Sequence, residues 1–241
     1  MFDVIVFGAT FAAAGIAEIH KEKCLVLEER SYAGYEFCGA LQFGTELKKP
    51  EDEAAARFYS LFMGASPSNF GRETVLYPIF KGSRTIFGAK VVSAEKKGDH
   101  FTCTVCGVNG FSVYHAKRIV DTRCSKEQSL EKSYNLLVES KSTPCFEGVL
   151  CQRIEPGHRY ILRCAVPLSC SFSEGRRIAL EIIRRFSPEQ KLILSANEFD
   201  YAVKEGFPKT EKEILLLPSK SCKNPVLAFE AGLKIGKEIK L

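Results

Sequence analysis

The chain opens on an apolar run rich in β-branched residues, FDVIVF, that stops at Gly8. A short apolar run closed by glycine predicts a strand buried on both faces, the environment of a parallel sheet. Small residues from Ala12 to Lys21 predict a closely packed helix, and Lys23–Glu28 (KCLVLE) predicts a second buried strand that ends in an acid. Strand, glycine turn, helix and strand make a βαβ unit. Periodicity is then lost from 31 to 49, which reads as a loop. Pro50, Glu51, Asp52 and Glu53 open a helix that runs to about Met63. Proline and acids both suit a first helical turn, where amides lack partners and the helix dipole is positive.

From Glu73 the texture changes to short strands: Val75–Phe80, Thr85–Phe87, Lys90–Glu95, Phe101–Cys106, Ser112–His115 and Arg118–Asp121. Asn109–Gly110 is a strong hairpin signal, because both residues tolerate the positive φ of a tight turn. Residues 88–115 therefore read as a three-stranded antiparallel meander, followed by the buried strand RIVD. Residues 130–171 are strand-rich again. Helices are expected over Glu174–Phe186 and Glu198–Glu205, with a strand at Lys191–Ser195 between them. In the first of these helices Ile178, Ile182, Ile183 and Phe186 form a stripe at helical spacing, and it reads as core. Glu213–Leu217 is extended, and Pro225–Ile239 closes the chain as a helix with Asn224 as its N-cap.

At 241 residues the chain has room for one large domain or two small ones. With 45% hydrophobic and 26% charged residues it is neither disordered nor fibrous. The net charge of +5 is spread along the chain, so neither nucleic acid nor a membrane is indicated as a partner. No apolar run is long enough to span a bilayer. The apolar start carries Asp3 where an export signal would be basic, and Gly8 and Gly15 split it. Ten cysteines without such a signal point to the reducing cytoplasm. The C-x-x-C at Cys103 and Cys106 lies on an expected strand, which sends the two thiols to opposite faces and argues against redox or zinc chemistry. The remaining cysteines and the four histidines show no metal-ligand spacing.

The candidate chemistry lies in the first turn, Gly8–Ala9–Thr10–Phe11–Ala12–Ala13. In a dinucleotide-binding turn the first glycine permits the bend, the second lets the pyrophosphate approach, and the third position lets helix and sheet pack closely. The phosphates sit at the helix N-terminus. Here the first glycine is kept, Thr10 stands at the second position and Ala13 at the third. Glu28, with Glu29 beside it, arrives about twenty residues on, where a carboxylate meets ribose hydroxyls.

A nicotinamide-dependent reductase would fit the first forty residues and leave the meander unexplained. The βαβ unit followed by GAKVVSAEKKGDHFTCTVCGVNGFSVYHAKRIVDTRC resembles the glutathione-reductase-like flavoproteins, and most closely the FAD-dependent oxidoreductase family, as a shortened and partly degenerate member. The resemblance covers residues 1–45, about 85–125 and the last twenty. It implies an α/β fold: a Rossmann-like three-layer FAD/NAD(P)-binding domain with an antiparallel meander, plus a small antiparallel β-rich substrate-type domain. Residues 1–49, 85–125 and 213–241 would form the first, and 50–84 with 126–212 the second.

The resemblance also implies FAD at Gly8, Ala9, Thr10, Phe11, Ala12 and Ala13, with Glu28 and Glu29 at the adenosine ribose. Val91 would offer backbone groups to the adenine, and Thr122 would lie beside the cofactor. Asn224 and Pro225, opening the last helix, would face the flavin. Tyr32–Tyr35 and Cys38–Gly39 match the loop that runs past it. The departures are Thr10, Arg123 in place of a glycine, the lack of a Gly-Asp pair before the last helix, and the short length. The implied function is flavin-mediated hydride or electron transfer to a small substrate. The alternative is a non-catalytic relative acting as a binding or assembly subunit. No catalytic residue, metal site or oligomeric state is indicated.

Overall fold

The computed structural model describes residues 1–42, 44, 47–65, 72–154 and 157–240. In chain order the elements are β1 (Phe2–Phe7), α1 (Phe11–His20), β2 (Cys24–Glu28), α2 (Glu53–Gly64), α3 (Tyr77–Lys81), β3 (Arg84–Phe87), β4 (Lys90–Lys97), β5 (His100–Gly107) and β6 (Gly110–Asp121). Then follow β7 (Ser129–Ser140), β8 (Val149–Ile154), β9 (Arg159–Val166), α4 (Phe172–Ile183), β10 (Gln190–Ser195), β11 (Asp200–Val203), β12 (Lys209–Glu211), β13 (Ile214–Leu216) and α5 (Pro225–Lys240). They form two compact units, residues 1–34, 44–123 and 205–241 in the first and 35–43 with 124–204 in the second.

The first unit is built on an eight-stranded sheet in the order β12-β13-β6-β1-β2-β3, with β5 and then β4 attached through β6. Strands β13, β6, β1, β2 and β3 run parallel, and β4, β5 and the first part of β6 form the antiparallel meander. The α/β class, the Rossmann-like sheet and the meander expected from sequence are therefore present. The two strands expected at Ser112–His115 and Arg118–Asp121 are one continuous strand, β6. Its Ala116 pairs with Phe101 in the meander and with Phe2 in the parallel sheet. Between meander and sheet lies a core of Ile5, Phe7, Leu27, Phe101, Val105 and Ile119.

On the other side α1 packs against α5 with almost no side chain between them. A Cβ added at Gly15 would lie 2.1 Å from the Phe229 carbonyl oxygen, and one at Gly232 would lie 2.0 Å from that of Ala12. Helix α2 completes this layer. Its N-cap, Asp52, accepts from the Ala54 and Ala55 amides, and Phe58 stacks on Phe229 at 4.1 Å. These contacts put the described residues of 50–65 and 72–84 in the first unit, not with the substrate-type unit as expected, because the apolar face of α2 is spent on α5. The expected strand Val75–Phe80 is also helical. Pro78 has no N–H to give to a sheet, but it suits the first turn of α3.

The second unit is a five-stranded antiparallel sheet, β10-β7-β9-β8, with β11 sharing the β10 edge of β7. Helix α4 covers one face and buries the expected stripe, with Ile182 in the core and Ile178, Ile183 and Phe186 at its margin. A reciprocal cap between Ser171 and Glu174 starts that helix. Segment 35–42 is tied to the sheet by the Asn135 side-chain amide, which donates to the Ala40 carbonyl at 2.8 Å. The helix expected over Glu198–Glu205 is instead β11, in register with β7 through Asp200 opposite Ser133. Its composition favours helix, but Phe199 packs edge-on against Tyr134 and Phe172, and Asp200 pairs with Arg163 at 3.0 Å. Tertiary contacts decide the segment.

Candidate functional site

Strand β1 ends at Gly8, whose φ of +91° is a conformation that glycine adopts without penalty. The Gly8 amide donates to the Leu27 carbonyl, which keeps the turn on the sheet. The next amide, Ala9, donates to Glu28 Oε2 at 2.8 Å. The other oxygen of Glu28 accepts from the Arg30 amide at 2.8 Å and from Arg30 Nη1 at 3.3 Å. The carboxylate expected at the ribose thus faces its own turn and is 1% exposed.

Thr10 is the N-cap of α1. Its Oγ1 accepts from the Ala13 amide at 3.1 Å, and its hydroxyl donates to Thr122 Oγ1 at 2.8 Å. Thr122 in turn donates to the Phe7 carbonyl at 2.8 Å. The β-branched side chain at the second glycine position is therefore turned into the protein as a cap and a tie. Ser219 Oγ accepts from the Ala12 amide at 3.4 Å. The loop after Arg30 also folds over the turn, with the Gly34 amide on the Ala9 carbonyl. Ala9, Thr10, Phe11, Ala12, Ala13, Thr122 and Ser219 have no solvent-exposed surface.

Arg123 covers the outside. Its Nε and Nη2 bond the two oxygens of Asp121 at 2.9 and 2.8 Å, and Nη1 lies 3.6 Å from Glu29. The guanidinium sits 5.1 Å from the centre of the Phe7 ring. A Cβ on Gly8 would lie 2.8 Å from Arg123 Cγ, so the arginine stem rests on the turn itself.

The structure thus brings together Gly8–Ala13, Glu28, Glu29 and Thr122. Val91 lies in β4 opposite Val105 and packs on the core that contains Phe7 and Leu27. Asn224 and Pro225 open α5. Asn224 Oδ1 accepts from the Leu227 amide at 2.9 Å, and the backbone of Gly44 packs so closely on Asn224 that a Cβ there would fall 2.5 Å away. Tyr35 and Cys38–Gly39 belong to the second unit. Cys103 is buried with Phe101 and Val105, and burial pushes its thiol up to about 11. A thiol so held remains protonated and unreactive near neutrality. Among the described residues, no group of three or more His, Cys, Asp or Glu could hold a metal. Ser219 and Arg30 were not legible as site residues. Ser219 is 207 residues from the amide it meets and sits in an unremarkable polar loop.

The cofactor implied by the resemblance is FAD. Gly8 makes the bend such a dinucleotide needs, but the Glu28 carboxylate is committed to the Ala9 and Arg30 amides. The amides that would receive its diphosphate are buried and occupied by Thr10 and Ser219, and Arg123 fills the approach to Gly8. In this arrangement the residues do not fit a bound diphosphate.

No protein-family model and no curated protein sequence matches the chain. Solved structures do match in fold. The anhydrotetracycline hydroxylase OxyS of Streptomyces rimosus superposes with a TM-score of 0.64 at 15% identity, covering 99% of this chain and 62% of that one. The p-nitrophenol 4-monooxygenase PnpA of Pseudomonas putida gives 0.60 at 13% identity, covering 99% and 80%. Aklavinone-11 hydroxylase, solved with FAD and aklavinone, gives 0.66 at 12% identity, covering 99% and 62%. This chain has the fold of those proteins and spans 62% of the length of the first and the last.

Proposed function

We propose that the chain is an FAD-dependent oxidoreductase, acting by flavin-mediated hydride or electron transfer on a small substrate yet to be identified. The observation that carries this reading is the sheet, a parallel β13-β6-β1-β2-β3 core extended by a meander, with a glycine turn at the end of β1 and a buried acid at the end of β2. Its support is the set of similar folds, which includes two hydroxylases and a monooxygenase. On this reading the first unit is the cofactor side and the second the substrate side. Residues Gly8–Ala13, Glu28, Glu29, Val91, Thr122, Asn224 and Pro225 would then lie on the cofactor side, with the turn in an arrangement other than the filled one described above, and the setting is a reducing cytoplasm. The flavin would supply the redox chemistry, while the protein would supply orientation and electrostatics.

A second reading is favoured by the filled turn. The chain would keep the scaffold and serve as a binding or assembly subunit. The absorption spectrum of the purified protein, before and after incubation with excess FAD and removal of free cofactor, separates the two. A retained flavin band supports the oxidoreductase. Protein that stays colourless after reconstitution overturns it in favour of the second reading.

A further inference from the structure

We propose that the first unit holds a binding site for a small amphipathic carboxylic acid, set between β5 and β13 along one edge of β6 and recognised by Arg118. None of its lining residues belongs to the turn at Gly8. The proposal does not rest on the oxidoreductase reading.

Strand β1 pairs along one edge of β6 from Ala116 to Asp121. The other edge is shared by two strands. Pairing with β5 ends at Ala116, opposite Phe101, and pairing with β13 begins at Val120, opposite Leu215. Residues 117–119 therefore face neither strand on that side. A cavity of about 370 Å³ opens there, at the lower end of the volumes that take small ligands. Lys96 of β4 donates to Glu213, just ahead of β13, and this bond ties the two sides of the gap together.

The inner wall of the cavity is apolar. Phe101 and Ile119 belong to the core between meander and sheet, and Leu215 is half-buried. An apolar tail lying against them leaves water for a surface that is already formed. The charged groups at the cavity are Lys96, Glu213 and Arg118. Lys96 and Glu213 neutralise each other. Arg118 is left over. Among the described residues it pairs with no carboxylate, and its Nη1 makes only a long bond, 3.5 Å, to the Lys117 carbonyl. The neighbouring ammonium of Lys117 is committed to Asp3 at 2.8 Å. Arg118 is exposed, so its planar fork of donors, which matches a carboxylate, is reached without rearrangement. A cation without a counter-ion at the lip of an apolar hollow selects a ligand with a negative head and an apolar tail. A neutral apolar molecule leaves the guanidinium unanswered, and a cationic one is repelled by it.

The probe is octanoate, titrated into the full-length protein and followed by calorimetry and by backbone amide shifts in NMR spectra. Octanamide keeps the tail without the charge, and butanoate keeps the charge on a shorter tail. Octanoate is expected to bind about fivefold more tightly than octanamide and at least about tenfold more tightly than butanoate. The largest amide shifts are expected at Ile119 and Leu215. Arg118→Met, an exposed change that keeps the apolar stem, should lower octanoate affinity to that of octanamide. Should that variant not fold, salt gives the same reading on wild type: at about 1 M the advantage of octanoate over octanamide should vanish. Failure of octanoate to bind overturns the site. So do equal affinities for octanoate and octanamide, shifts centred elsewhere, or octanoate binding that neither Arg118→Met nor salt weakens.

Discussion

The Thr10 hydroxyl lies 2.8 Å from Thr122 Oγ1, joining the turn after the first strand to the end of β6 across 112 residues of sequence. Both residues are fully buried, and the same Thr10 oxygen caps α1. Thr10→Val keeps the shape and removes the cap and the tie, leaving the Ala13 amide buried without its acceptor. A loss of about 2 kcal/mol is expected, read from the urea midpoint at unchanged m-value.

Helices α1 and α5 approach so closely that a methyl group at Gly232 would fall on the Ala12 carbonyl. That contact is with backbone, so no side chain can rotate away. Gly232→Ala should destabilise by about 1–3 kcal/mol or more, seen as a lower melting temperature. An unchanged melting temperature would mean that the helices sit farther apart than described.

Asp52 caps α2, and its bond with Lys237, together with those from the Ala55 and Ala54 amides, holds its carboxyl below the usual 3.8. A carboxyl depressed by folding contributes stability above its unfolded pKa and loses that contribution as pH falls through the folded value. Asp52→Ala should therefore cost about 1 kcal/mol at pH 7. The difference from wild type should narrow below pH 3.8 as the wild-type carboxyl takes up its proton. Denaturant unfolding at a series of acidic pH values measures it.

Burial raises the thiols of Cys103 and Cys164 to about 11, and Cys24 is raised as well. Cys145 is exposed. Iodoacetamide at pH 8 should modify Cys145 in the native protein and reach the other three only on denaturation. Peptide mass spectrometry would report the order. Early labelling of Cys103 would contradict its place in the core.

The parallel core and the meander were legible because each depends on short-range pattern: apolar runs, a closing glycine, and Asn109–Gly110 at a hairpin. The turn at Gly8 and the acid at Glu28 were legible for the same reason. The state of that turn was not. Whether an amide faces an open cleft or a serine depends on Ser219, and nothing in residues 8–13 refers to position 219. Residues 198–205 were misread because Glu198, Ala202, Lys204 and Glu205 suit a helix, while Phe199, Tyr201 and Asp200 find their partners only in the folded sheet. The 75–80 segment was misread for a more local reason, since Pro78 sat in plain view inside an apolar alternation.

Because β6 is unbroken from Gly110 to Asp121, the hairpin at its head and the joint at its foot share one alignment. Sliding that strand by a single step would exchange its inward and outward side chains along the whole length. It would swing Asp121 and Thr122 away from the partners they now meet. A slip in the register of β6 is therefore felt at its foot, where Arg123 would no longer come to rest on Gly8.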